Sequence, residues 1–251
     1  MTKWAFITGT TSDLGVALAK ALLKQGYHLL LTAPKQDKLE ALPFAAKKMA
    51  ADLTQRDQRK QVIAWIKPYA PQLMINNAGA GLYGPALSHP TEDQLGLLTL
   101  NAEATLELCL EGTRLMKKPG TILNISSAAA FFPYPYFSVY SASKRFLLDF
   151  SQGFDAEVKS KGIRVLCACP GQIDTSFRIK ASKGRFHEKT AFTLSLATVI
   201  KNLLKQIEKQ KPVQIIDWRY RILIAAQRWI GKSIRNRFLM KTMTRRIKKE
   251  R

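Results

Sequence analysis

The chain is 251 residues long, 46% hydrophobic and carries a formal net charge of +22. That length suits one large α/β domain with a well-buried core, and the lack of any run of about eighteen apolar residues argues against a membrane-spanning helix. The charge predicts attraction to something anionic: a phosphorylated ligand, nucleic acid or lipid headgroups.

From the N-terminus, KWAFIT predicts a strand, TGTTSDLG a turn, and VALAKALLKQGY a helix. That helix places Val16, Leu18, Ala19, Leu22 and Leu23 on one face and stops near Gly26. The second strand, YHLLLT, completes a βαβ unit. Helices over Lys38–Leu42 and Gln55–Ile66 precede the strand LMINNAG, and one over Glu92–Met116 precedes GTILNIS. A helix over Ser138–Ser160 leads to IRVLCACP, and another over Leu194–Gln210 leads to PVQII. Buried strands alternating with helices predict an α/β fold with a doubly wound parallel sheet (Rossmann fold). The predicted organisation is a single domain over residues 1–216 with a basic amphipathic C-terminal helical extension over 217–251. Cys167 and Cys169 read as small buried strand residues, and three cysteines suggest neither a disulfide framework nor a metal site. His28, His89 and His187 show no mutual spacing for a metal. Met1 runs directly into the first strand without a signal peptide, so a cytoplasmic protein is expected.

The turn between the first strand and helix places backbone N–H groups at the positive end of a helix dipole, which suits a pyrophosphate. Further along, Tyr140 and Lys144 are four residues apart, so on a helix they share a face, and the Lys144 ammonium is expected to favour the phenolate of Tyr140. Ser127, thirteen residues before Tyr140, ends a strand and is placed to bond a substrate carbonyl.

The turn, NNAG at Asn76–Gly79, Asn101 in LTLNAEA, Ser127, Tyr140 and Lys144, and PGQIDT at Pro170–Thr175 occur in one order and spacing. Together they resemble the classical short-chain dehydrogenase/reductase family over roughly residues 3–210. The resemblance implies hydride transfer between a nicotinamide and a carbonyl or alcohol carbon, with Tyr140 as acid or base and Ser127 and Lys144 beside it. It also implies that Asn101 helps hold a water-linked proton relay to Lys144, an alternative being that Asn101 merely caps or bends a helix. Ser126 competes with Ser127, but only Ser127 has the family's spacing to Tyr140.

The implied cofactor residues are Gly9, Thr11, Ser12, Leu14 and Gly15 in the first turn, then Lys35, and Asp52 and Leu53 beside the adenine. Asn77, Ala78 and Gly79 would lie beneath its ribose. Tyr140, Lys144, Pro170, Gly171, Ile173 and Thr175 complete the set, with Thr175 bonding the nicotinamide carboxamide. After the second strand no acid occupies Thr32–Lys35 and Lys35 offers a cation, so NADP(H) is expected over NAD(H). Asp13 departs from the family pattern TGxxxGxG. A carboxylate there gains from the dipole yet competes with a pyrophosphate, and the expectation is a working site in which Asp13 turns outward or meets a ribose hydroxyl.

AAAFFPYPYF after Ser127, with Tyr134 and Tyr136 as pocket wall, and Phe177, Phe186 and Phe192 after Pro170 suggest a cleft for a lipophilic substrate such as a ketone, aldehyde or 3-oxoacyl group. The extension holds twelve Lys or Arg against Asp217 and Glu250 and interleaves them with Ile222, Leu223, Trp229, Ile230, Ile234 and Phe238. A basic amphipathic helix, or a helix pair hinged near Gly231, follows. Four uses stay open: peripheral binding to an anionic membrane surface, docking on its own domain, a contact in a homo-oligomer, and nucleic acid, the last with no supporting fold motif. The alternative to an enzyme is a nucleotide-sensing or scaffold protein of the same fold.

Overall fold

The computed structural model describes residues 2–184, 190 and 192–249; Phe186 and His187 lie outside the described residues. The strands are β1 (Lys3–Thr8), β2 (Tyr27–Ala33), β3 (Lys47–Ala50), β4 (Leu73–Asn76), β5 (Gly120–Ile125), β6 (Ile163–Cys169) and β7 (Val213–Ile215). They form one sheet in the order β3-β2-β1-β4-β5-β6-β7, with every ladder parallel. The order reverses between β1 and β4, the switch point at which such sheets open a crevice beyond their carboxyl ends.

Alternation along each strand divides the core between two faces. Ala5, Ile7, Leu29, Leu31 and Ile75 pack under α1 (Asp13–Lys24) and α8 (Leu196–Glu208). Phe6, Leu30, Met74, Ile122 and Val165 pack on the other side, with Val62 and Ile66 of α3 (Arg56–Ile66), Leu108 of α5 (Ala104–Leu115) and Phe154 and Val158 of α6 (Ser138–Val158). Helix α1 is capped by Ser12, whose hydroxyl accepts from the N–H of Gly15. Gly26 follows its C-cap at φ +79, a conformation that glycine adopts without a Cβ penalty.

Two elements differ from the sequence reading. β3 is an edge strand, KKMA, which lacked the apolar run used to find the others. The single helix expected over Glu92–Met116 is α4 (Thr91–Leu98) and α5 joined by a π-helical turn over Thr99–Glu103. Arg59, 1% exposed, bonds Glu103 of that turn and Glu107 of α5, both at 2.5 Å, and donates to the carbonyls of Leu53 and Thr54.

The remaining helices are α2 (Gln36–Glu40), α7 (Phe177–Ala181), α9 (Trp218–Ala226) and α10 (Lys232–Lys249). The last two break at a 3-10 turn over Gln227–Trp229, just before Gly231. They touch the body: Gln227 Nε2 donates to the carbonyl of Phe131, the Tyr136 hydroxyl lies 3.3 Å from Thr244 Oγ1, and Met243 is buried. The partners open to the extension therefore include its own domain. Among the described residues no helix is long and apolar enough to cross a membrane.

Candidate active site

A cleft of about 400 Å³ opens at the carboxyl ends of the strands. The β1–α1 loop contributes Gly9, Thr11, Ser12, Asp13 and Leu14. Gly9 has φ +66, and a Cβ there would fall 2.8 Å from Ala78 Cα. Gly15 lies behind the cleft surface, where a Cβ would collide with the Gly9 carbonyl. The loop is fixed from β4: the Asn77 side-chain amide donates to the carbonyls of Thr8 and Gly9, and Thr8 Oγ1 accepts from the amides of Asn77 and Ala78. Ser12 takes the amide of Gly15, while the amides of Asp13 and Leu14 have no helical carbonyl within reach. A Cβ-free cradle backed by unpaired helical amides fits a pyrophosphate.

Asp52, Leu53, Asn77, Ala78 and Gly79 line the cleft beyond the ends of β3 and β4, as do Thr32 and Ala33 at the end of β2 and Pro34 after it. Asp52 Oδ1 accepts from the amide and hydroxyl of Thr54. Lys35 stands next to Pro34, exposed, at the start of α2 and outside the cleft lining. Pro170, Gly171, Ile173 and Thr175 line the segment after β6.

Ser127, Tyr140 and Lys144 meet in this cleft. Ser127 stands two residues beyond β5, where its hydroxyl oxygen accepts from the Ala129 amide. Ser126 is committed elsewhere, its hydroxyl donating to the Lys144 carbonyl at 2.7 Å. Lys144 Nζ donates to the Ile125 carbonyl at 2.9 Å and sits 5.8 Å from the Tyr140 ring centre.

Burial governs both titrations. It pushes the Tyr140 phenol well above its ordinary value, the neighbouring Ser127 side chain opposing it only in part, and it pulls the Lys144 ammonium down to about 8. The expectation that Lys144 lowers the phenol is corrected: burial instead raises it and is the largest cause of the shift.

Asn101, fully buried on the π-turn, uses its amide on neighbours: Nδ2 donates to the Ala80 carbonyl and Ser143 Oγ, and Oδ1 accepts from the Ala80 amide. Both Asn101 Oδ1 and Lys144 Nζ flank Gly79, where a Cβ would come within 3.1 and 3.3 Å of them.

An aromatic series borders the site. Tyr83 stacks on Phe137 at 3.7 Å, Phe137 on Tyr140 at 4.1 Å, and Phe177 lies 5.8 Å from Tyr140. Tyr134 lines the cleft, whereas Tyr136, expected in its wall, turns towards Thr244. The sequence reading missed Tyr220 of α9, which lines the cleft and meets Phe192 edge to face at 5.7 Å. Its closeness to Gly171, where a Cβ would come 2.5 Å from Tyr220 Cε2, explains that glycine. Asp13, which stands where the pattern TGxxxGxG has a glycine, accepts the Ser176 amide on its carboxylate at 2.6 Å.

Residues 3–185 match the family model described as short chain dehydrogenase. The chain is 31% identical to the very-long-chain 3-oxoacyl-CoA reductase of Anas platyrhynchos, over 96% of this chain and 83% of that one. It is 32% identical to the serine 3-dehydrogenase of Rhizobium radiobacter, over 71% and 75%. Among solved structures, a short-chain dehydrogenase from Sphingobium yanoikuyae in complex with NADPH superposes with a TM-score of 0.78 at 26% identity, covering 95% of both chains.

Proposed function

The chain belongs to the short-chain dehydrogenase/reductase family and is an enzyme of that type, and from this premise we propose an NADPH-preferring reductase of lipophilic carbonyl compounds. The observation that carries the reading is the convergence of Ser127, Tyr140 and Lys144 in the cleft that the Gly9 loop closes at its other end. When bound, the nicotinamide supplies the hydride. Gly9, Thr11, Ser12, Leu14 and Gly15 would hold its pyrophosphate, Asp52, Leu53, Asn77, Ala78 and Gly79 its adenosine, and Pro170, Gly171, Ile173 and Thr175 the nicotinamide end. The missing acid after β2 and the exposed Lys35 favour the additional phosphate of NADP(H).

Tyr140 gives its phenolic proton to the substrate oxygen as that oxygen becomes an alkoxide. A phenol held above its ordinary value stays protonated through the physiological range, the form a proton donor must have. Ser127 holds the same oxygen by a hydrogen bond. Lys144, still charged at pH 7, steadies the phenolate left behind. Asn101 fixes the Ala80 loop and Ser143, the residue beside Lys144.

Aromatic walls at Tyr83, Tyr134, Phe137, Phe177 and Tyr220 suit an apolar chain. A long-chain 3-oxoacyl-CoA is therefore the substrate to offer first, in keeping with the named activity of one relative. Tyr140→Phe should lower NADPH oxidation by this substrate at least about a thousandfold while NADPH quenching of tryptophan fluorescence persists. Undiminished turnover in Tyr140→Phe would refute the assignment.

Residues 1–216 form the catalytic domain in this reading, and 217–251 an extension that completes the cleft through Tyr220. The extension also offers an anionic membrane a basic face with exposed Trp218, Trp229, Ile234 and Phe238, Trp229 being 92% exposed. Peripheral attachment follows, with a lipophilic substrate drawn from the same surface. Vesicles of anionic phospholipid should pellet the protein, neutral ones should not, and the double variant Trp229→Ser, Phe238→Ser should stay in solution. Pelleting by both vesicle types alike would sink the electrostatic reading. The exposed Leu95, Leu98, Leu110 and Phe146 of α4, α5 and α6 provide the surface for a homo-oligomer, which light scattering tests.

A further inference from the structure

Helix α7 has only five residues, too few to hold itself folded. It nonetheless covers the reactive end of the cleft, with Phe177 beside the Tyr140 ring. Its far end is well anchored. The Tyr83 amide donates to the Ala181 carbonyl at 2.8 Å, and Phe177 and Ala181 close on Gly81, where a Cβ would lie 3.0 Å from each. Upstream, the Asp174 amide donates to the carbonyl of Leu194 at 3.0 Å. Between these anchors lie Thr175 and Ser176, which line the cleft.

That interval is held from the opposite bank. Asp13 Oδ2 accepts the Ser176 N–H at 2.6 Å, joining the first turn of α1 to the N-cap of α7 across 163 residues of chain. Hydrogen bonds to a carboxylate are about twice as strong as neutral ones. A glycine at position 13 offers no acceptor, so the link is made by the departure of this chain from the TGxxxGxG pattern.

We infer that Asp13 is a positioning residue, a clasp that holds Thr175 and α7 in their working place before substrate arrives. The exposed carboxylate fastens one wall of the cleft to the other. Its charge sits at the helix end that would receive a pyrophosphate, so the clasp is made at the expense of cofactor affinity. Preorganising α7 then lowers the ordering required when substrate binds.

Two variants separate the roles of charge and acceptor. Asp13→Asn removes the charge and keeps an oxygen that accepts; Asp13→Gly removes both. Amide hydrogen exchange in the cofactor-free protein reads the clasp without reference to any reaction. The Ser176 amide should exchange on the order of tenfold faster in Asp13→Gly and stay near the native rate in Asp13→Asn. The kinetic arm rests on the proposed reductase activity. There, KM for a long-chain 3-oxoacyl-CoA should rise in Asp13→Gly alone, while NADPH binds more tightly to both variants. Unchanged Ser176 exchange in Asp13→Gly, or equal Ser176 exchange rates in the two variants, would overturn the clasp. Faster exchange in Asp13→Gly with no turnover by any form supports the clasp and counts against the substrate assignment instead.

Discussion

Replacing Lys144 with Met removes a buried charge, and its effect on stability follows from the site. The ammonium falls from an ordinary 10.5 to about 8 because burial disfavours the charged form. At about 1.4 kcal/mol for each pH unit, the folded protein at pH 7 carries a penalty on the order of 3 kcal/mol for keeping this group charged. Lys144→Met abolishes that penalty but strips the Ile125 carbonyl of its donor, a loss of about 1–2 kcal/mol. The cofactor-free variant should therefore be more stable than the native protein at pH 7, by about 1–2 kcal/mol. Below pH 8 the lysine is protonated in both folded and unfolded chains and the whole penalty stands. Between pH 8 and 10.5 the folded form loses its proton while the unfolded chain keeps it, so native stability rises relative to the variant. By pH 10.5 the advantage of the variant should vanish and reverse by the value of the lost hydrogen bond. Urea midpoints followed by tryptophan fluorescence at pH 7 and pH 10 measure the difference. A variant less stable at pH 7, or a gap constant with pH, would show that burial of Lys144 is not strained by its charge.

Other substitutions probe the supports around the site. Arg59→Ala should destabilise the fold by about 3–5 kcal/mol, because it leaves the Leu53 and Thr54 carbonyls and Glu107 without their partner; denaturant titration checks this, and weaker NADPH binding should accompany it through Leu53. Gly171→Ala places a methyl against the Tyr220 ring, so α9 must shift, and proteolysis between residues 217 and 231 should accelerate without loss of the core. Gly9→Ala combines a strained φ with a clash at Ala78 and should weaken NADPH binding more than tenfold in a fluorescence titration, while Gly26→Ala, with a strained φ but open space, should reduce stability by about 1 kcal/mol and leave binding intact.

Much of this architecture is legible in the chain because strand and helix periods are local. Six strands announce themselves as apolar runs, and the spacing of Ser127, Tyr140 and Lys144 needs only one strand end and one helix face. What escaped depends on contacts distant in sequence. β3 is recruited by pairing with β2, its lysines being tolerable on an edge strand. The π-turn has no glycine or proline to mark it; Arg59, Ala80 and Ser143 impose it through Glu103 and Asn101. Tyr220 enters the cleft from beyond β7, and Asp13 meets Ser176 from the other end of the fold. The direction of the Tyr140 titration was misjudged because sequence gives the neighbour, Lys144, but not the depth of burial.

The all-parallel sheet also determines how the chain must reach this state. Among the described residues no ladder joins strands through a hairpin: β1 meets β4 through Ala5 and Leu73, and β5 meets β6 through Asn124 and Cys167. Each pairing waits for a crossover to close, so folding has high contact order and proceeds slowly through partly assembled intermediates. The central strands are the most apolar and expose unpaired edges during that interval. Refolding yield should accordingly fall with protein concentration, with aggregation seeded by segments such as YHLLLT and IRVLCAC rather than by the polar, lysine-bearing edge.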